Sequence, residues 1–238
     1  MIGLTGFIDP HVHAAPEHIP RLLNDTALAR RARDAGMAGL LIKSHTTLTA
    51  DRAVIAQQVV QGIRIWGGLV LNYRVGGFNS VSVEVALQYR AAEIWRPTID
   101  AENHRRNVAG GGEGLAPQSK EFPDRLSDIL NLIAKHDVIL GTGHLSVEET
   151  STLARLARQH GVKKIFITMF ERTWVFTTPA LGSAITPDRL IRDIKEVGFE
   201  STVLATDMGK WAIRLLAKDF GHLRPRVWMP VSMNHRSS

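Results

Sequence analysis

Gly6-Phe7-Ile8-Asp9-Pro10-His11-Val12-His13 is the stretch that decides how this chain is read. An apolar run leads straight into a carboxylate and two histidines at alternate positions. In an extended segment, residues two apart point to the same side. Asp9, His11 and His13 are therefore expected to converge, with Pro10 and Val12 facing away. Two neutral imidazoles so close together are a natural start for a zinc or other transition-metal site. Pro10 offers no ladder donor, so the regular strand is expected to stop near Asp9 and leave both histidines at its exit.

Downstream, the pattern repeats. Strand-like apolar runs occupy residues 3–9, 37–43, 63–72, 93–98, 137–141, 164–168 and 200–206. Helical stretches separate most of them. Asn24 or Asp25 opens one that Gly36 stops, Thr49 opens the next, and a third covers residues 80–89. A fourth spans 124–135. Ser146 with Glu149 forms a capping box for the helix ending at His160, and Thr186-Pro187 opens another. Between residues 99 and 123 the periodicity lapses around Asp100, His104 and the glycine run Gly110–Gly114, as expected of a binding loop or lid.

Strands alternating with helices indicate a parallel β/α architecture. Chemistry-bearing residues follow strands one, two, four, five and seven: His11 and His13, Lys43 and His45, Asp100, His144, and Asp207. Groups from so many strand exits meet at the carboxyl end of a closed barrel, whereas an open sheet concentrates them at one switch point. No G-x-G-x-x-G follows the first strand and no G-K-[ST] appears, which removes the main support for a dinucleotide or P-loop site. A (β/α) TIM-like barrel is the expected fold, distorted or lacking a complete final unit.

The 238 residues, 44% of them apolar, suffice for one such barrel. The absence of cysteine excludes disulfides and thiolate ligands, so any metal must be held by His, Asp, Glu or a lysine-derived oxygen. No stretch approaches a membrane span and the first residues lack a signal-peptide layout, so a cytoplasmic protein without membrane contact is expected. Much of the +6 formal charge sits at the end of the chain, on Arg214, Lys218, Arg224, Arg226 and Arg236 against Asp219. That distribution is not the aromatic-interleaved basic stripe of a nucleic-acid binder.

A hydrolytic metal centre needs ligands, an open position and a base. His11 and His13 supply two nitrogens, His144 a third, and Asp207 a carboxylate that binds metal or accepts a proton. Lys43 either bridges two metals once carboxylated or holds a substrate anion as an ammonium; protonated and unmodified, it cannot ligate. His45 joins Lys43 and Asp207 as a catalytic candidate. Asp100 and His104 are substrate-binding candidates that share a face if their segment stays extended. Gly76 and Gly77, ahead of a helix start, are the better anion cradle. His136 and His160 lie at helix ends, where an imidazolium complements the dipole. Trp66, Trp95 and Trp174 suit the core or a pocket wall.

Taken together, the opening stretch, Ala35-Gly36-Met37 with Ile42-Lys43-Ser44-His45, Leu71-Asn72 before Gly76-Gly77, Trp95-Arg96-Pro97-Thr98-Ile99-Asp100, Gly141-Thr142-Gly143-His144-Leu145-Ser146 and Thr206-Asp207-Met208-Gly209 resemble the amidohydrolase-like metal-dependent hydrolases. The nearest likeness is to a little-characterised branch described as a domain of unknown function. It extends over about residues 3–209. The resemblance implies hydrolysis of C–N, C–O or phosphoester bonds with one or two divalent metals. It also implies that His11 and His13 are the first-strand ligand pair, His144 a later histidine ligand and Asp207 the last-strand proton shuttle. Lys43 takes the role of the family's bridging lysine or of an anion binder, although it follows the second strand and the family's lysine follows the fourth. A further departure is Met169-Phe170, standing where similar proteins carry a histidine; a thioether is a poor ligand for a hydrolytic metal.

These readings divide the chain into a barrel over residues 1–210 and a short helix with an irregular basic tail over 211–238, which looks like a truncated or altered terminus. Apolar surface left by an incomplete barrel would be buried in a homo-oligomer. The expected cofactor is a divalent metal, zinc first, with Mn, Fe, Co or Ni as alternatives. The expected activity is cleavage of an amide, lactone or ester of a small molecule by metal-activated water. Alternatives are a metal-dependent lyase or isomerase on the same barrel, or a metal- or ligand-binding protein without turnover.

Overall fold

Six parallel strands lie side by side in chain order, β1-β2-β3-β4-β5-β6, and the sheet curls into a half-barrel. The computed structural model of the chain describes residues 4–107 and 123–167. The elements are β1 (Ile8–His13), α1 (Asp25–Asp34), β2 (Gly39–Lys43), α2 (Ala50–Val59), β3 (Arg64–Val70), a 3-10 turn (Tyr73–Val75), α3 (Ser80–Gln88), β4 (Glu93–Trp95), α4 (Glu102–Asn107), α5 (Pro123–His136), β5 (Ile139–Gly141), α6 (Val147–Gln159) and β6 (Ile165–Phe166). Asp207, Met169, Trp174, the run 200–206, the helix expected after Thr186 and the segment 211–238 lie outside the described residues.

Parallel strands covered on both faces read as continuous apolar runs, and β2 is buried along its whole length. Leu40 and Ile42 pack outward with Val12, Ala29, Ala53 and Ala56. Leu41 packs on the opposite side with Val70 and Trp95. Further round, Ile94 and Leu140 join Val83, Leu87, Ile129, Ile133, Leu153 and Ala157 in the core beneath α3, α5 and α6. The sheet thus has an outer layer of aliphatics under the helices and an inner layer that is partly polar, because Lys43 and Glu93 are fully buried there.

Several local readings hold. Asn24 caps α1 through a bond from Ala27 N–H, and Ser146 with Glu149 forms a reciprocal capping box on α6. Others are corrected. Pro10 does not end β1. The register pairs Asp9 with Leu40 and Val12 with Ile42, so three steps on β1 match two on β2. Pro10 falls in this bulge, where a missing N–H costs no ladder bond. The strict alternation from Asp9 to His13 is lost, and the histidines lie within the strand. Thr49 occupies the N-cap position of α2 as expected, but its side chain makes no cap bond; its hydroxyl donates to the Ile42 carbonyl and accepts from Gly68 N–H, tying β2 to β3. The segment after β4 is also less irregular than its sequence suggests, since residues 102–107 form α4.

Gly67 shows how tightly α2 sits on the sheet. A Cβ there would run into the Thr49 carbonyl and the Ala50 nitrogen, both backbone. Neither can swing aside, so Gly67→Ala is expected to cost at least about 3 kcal/mol, read as a lowered Tm. A Tm within a degree or two of wild type would show that α2 can slide on the sheet.

Candidate metal centre

At the carboxyl ends of β1 and β2 the chain builds a cluster that only part of the sequence reading anticipates. β1 delivers His13 on its last residue, and the loop after it turns back at once. Ala15 N–H bonds the Leu23 carbonyl, and Ala15 bridges Asn24, closing the loop at its base. Arg52 of α2 clamps it from outside, donating to the Ala14 and Pro16 carbonyls and to the Asp25 carboxylate. Closure folds Glu17 and Arg21 inward. β2 delivers Lys43, Ser44 and then His45.

Glu17 is the hub. Its Oε2 lies 3.3 Å from His13 Nδ1 and accepts from Arg21 at 2.5 Å. Its Oε1 accepts from His45 N–H at 2.7 Å and from Ser44 Oγ at 3.2 Å. Burial by itself would raise this carboxyl's pKa. The His13 hydrogen bond, the His45 N–H, the His13 charge and Arg21 outweigh it and hold Glu17 well below the usual carboxylate range. Glu17 is therefore an anion at any physiological pH.

His45 is held neutral. Burial pushes its pKa down to about 2, helped by the charges of Lys43, His13 and Arg21 and opposed by Glu17. Its ring is anchored by a 2.8 Å contact between Nδ1 and Thr98 Oγ1. Thr98 is in turn fixed by Asn72, whose Nδ2 donates to Thr98 Oγ1 and whose Oδ1 accepts from Thr98 N–H. Asn72 Nδ2 also donates to the His45 carbonyl. The His13 and His45 rings are 4.7 Å apart between centroids.

One atom from each of His13, Glu17 and His45 lies within 4.8 Å of the others, and these three can hold a metal ion. The donor set suits one: two imidazoles, one of them held neutral, and a carboxylate kept ionised. The hydrogen bonds from Arg21, Ser44 and the His45 backbone orient that carboxylate from behind, as outer-shell partners do.

The remaining candidates are distributed around this cluster. His11 lies on the same side of β1, its ring 5.5 Å from that of His13, but its Nε2 faces Lys43 Nζ at 3.2 Å. Lys43 is fully buried and lies 5.4 Å over the Trp95 ring. His144, expected as a ligand alongside His11 and His13, meets His104: their Nδ1 atoms are 2.9 Å apart, and the His144 ring is 6.1 Å from that of His45. Asp100 accepts from Tyr73 N–H and lies 3.8 Å from Arg105, so part of its carboxylate serves the 3-10 turn. Gly76 and Gly77 do not cradle an anion, because their N–H groups bond the Tyr73 and Asn72 carbonyls. The start of α3 is closed by Asn79, which accepts from Val81 and Ser82 N–H.

Among the described residues, then, the cluster combines His13 and His45 with Glu17, while His11 faces Lys43 and His144 faces His104. Glu17 and Arg21 were missed by reading strand exits alone. Their signal was present: an acid four residues after His13, just past Pro16, and a base four further on, just past Pro20, in a short loop.

Residues 6–185 match a family described as being of unknown function, DUF6282. The chain belongs to that family. The DUF6282 match takes in every residue of the cluster, together with Lys43, His104 and His144. No curated protein matches the chain. Among the described residues of this DUF6282 member, no helix is long and apolar enough to cross a membrane.

Proposed function

We propose that this chain is a metal-dependent hydrolase that cleaves an amide, lactone or ester bond in a small molecule. The observation that carries the reading is the trio His13, Glu17 and His45, gathered where two neighbouring parallel strands end. The likeness to amidohydrolase-like enzymes, which carry their metals at that end of a (β/α) barrel, supports it.

The donor set of two imidazoles and a carboxylate favours zinc, with Mn, Fe, Co or Ni as alternatives. A bound ion would polarise the scissile carbonyl and lower the pKa of water at the site. The chain's own residues do the rest. His13, Glu17 and His45 hold the centre, and Arg21 keeps Glu17 in place. His13 Nδ1 faces the acceptor Glu17 Oε2 and also the donor Arg21 Nη2 at 3.1 Å. One ring nitrogen cannot donate to the first while accepting from the second. Binding a cation through that nitrogen would therefore require Arg21 to donate to Glu17 alone. Lys43 is placed to steady negative charge on the substrate. The His104–His144 pair shares a proton between facing Nδ1 atoms, so one ring orients the other for transfer to a leaving group. Asp207 is the proton acceptor.

The test is hydrolysis of a panel of amides, lactones and esters by zinc-loaded protein in ¹⁸O-labelled water. Turnover is expected to stop with a chelator, return with zinc, and place one labelled oxygen in the product. Turnover without label uptake would mean a lyase or isomerase. Turnover indifferent to the chelator would remove the metal from the reaction.

A further inference from the structure

We propose that Thr98, locked by Asn72, is the positioning residue that leaves Nε2 of His45 to the ion. The inference rests on the metal reading of His13, Glu17 and His45. It adds which nitrogen of His45 serves and which residues decide it. His45 follows β2, Asn72 follows β3 and Thr98 follows β4, so three neighbouring strand exits meet here. Asn72 and Thr98 are both fully buried.

Backbone groups, which cannot exchange donor and acceptor roles, fix the direction of the Asn72 amide. Its Oδ1 accepts from Thr98 N–H at 2.8 Å, and its Nδ2 donates to the His45 carbonyl at 2.9 Å. The second Nδ2 hydrogen goes to Thr98 Oγ1, also at 2.9 Å. A hydroxyl oxygen has two lone pairs. Asn72 takes one and leaves the other for His45 Nδ1, 2.8 Å away.

A neutral imidazole carries one hydrogen, and only the nitrogen without it can ligate. With that hydrogen on Nδ1 and donated to Thr98 Oγ1, His45 offers a bare Nε2. The bond at the far nitrogen thus selects the ligand atom and holds the ring against turning, as outer-shell partners do in metal sites. The rest of His45 is held too. Glu17 Oε1 accepts from its N–H at 2.7 Å, and Asn72 serves its carbonyl. Among the described residues, Nε2 is the one polar atom of His45 given no hydrogen bond.

Calorimetric titration with zinc, and ¹⁵N NMR of the histidine-labelled full chain, test this. Thr98→Val keeps the side-chain shape without the hydroxyl, and zinc affinity is expected to fall about 10–100-fold. Thr98→Ser keeps the hydroxyl and should bind zinc as wild type does. In zinc-loaded wild type, the two-bond ¹H–¹⁵N correlations of His45 should show a protonated Nδ1 and an ion-bound Nε2. That spectrum decides the assignment even where Thr98→Val does not fold. Zinc bound through Nδ1 would overturn the proposal and leave the metal centre in place. So would a Thr98→Val affinity equal to wild type, or a Thr98→Ser affinity as weak as that of Thr98→Val. A wild type that binds no zinc would remove the metal reading, and this inference with it.

Discussion

Glu17→Ala is expected to reduce bound zinc from about one ion per chain to well under a tenth, with a loss of affinity of at least about 100-fold. Removing the carboxylate takes away one of three converging donors. It also frees the Ser44 hydroxyl and the His45 N–H that had held the site in shape. The variant has a second consequence to separate from the first. Arg21 is 8% exposed and pairs with Glu17, so alanine leaves a buried guanidinium without its counter-charge, costing about 3–5 kcal/mol. Glu17→Ala combined with Arg21→Met removes both charges and is expected to fold while still failing to bind zinc. Arg21→Met alone should keep the ligands and lose about 10–100-fold in affinity. Calorimetric titration with zinc measures all three. If the double variant bound zinc as wild type does, the ion would have to sit away from Glu17.

Glu93→Gln is expected to stabilise the protein, and only above acidic pH. Glu93 is fully buried on β4, and neither carboxyl oxygen has a hydrogen-bond partner. Burial raises its pKa well above the ordinary value of 4.5, opposed only in part by the Lys43 charge. The folded chain therefore keeps a proton that the unfolded chain releases as the pH climbs through 4.5. Stability from this group is complete below that pH and declines above it until the folded carboxyl itself ionises. Glutamine has the same shape and no proton to lose. At pH 4 the variant should match wild type, and at pH 8 it should be more stable by about 2 kcal/mol, read from urea midpoints. A variant less stable than wild type at pH 8 would mean that Glu93 is ionised and paired with Lys43.

The fold was legible where local signals and burial agree. β2 is short, apolar and bounded by Gly36 and Ser44, and both its position and its parallel pairing follow from the pattern. The capping box at Ser146 needed only two residues three apart. The reading failed where a local rule met a tertiary constraint. Pro10 normally ends a strand, but a bulge absorbs it and carries β1 on to His13. Thr49 is a good cap whose hydroxyl is claimed by two strands instead.

The candidate site divides in the same way. Strand-exit histidines are visible in sequence because strand ends are where reactive groups gather. Which of them share an ion is decided by side-chain direction and by the loop between them. That loop contributes Glu17, a residue no strand pattern marks, and fixes it through Arg21 and Arg52. Sequence spacing could place His144 on the rim, but not choose between His11 and His104 as its neighbour. The contact with His104 depends on α4, in a segment whose glycines had masked its helical start.

Anomalous diffraction at the zinc edge from zinc-loaded crystals tests the central claim most directly. One peak is expected, about 2.0–2.2 Å from a nitrogen of His13, a nitrogen of His45 and an oxygen of Glu17. A peak held by His11 and His144 with Glu17 turned away, or no peak near these three residues, would contradict it.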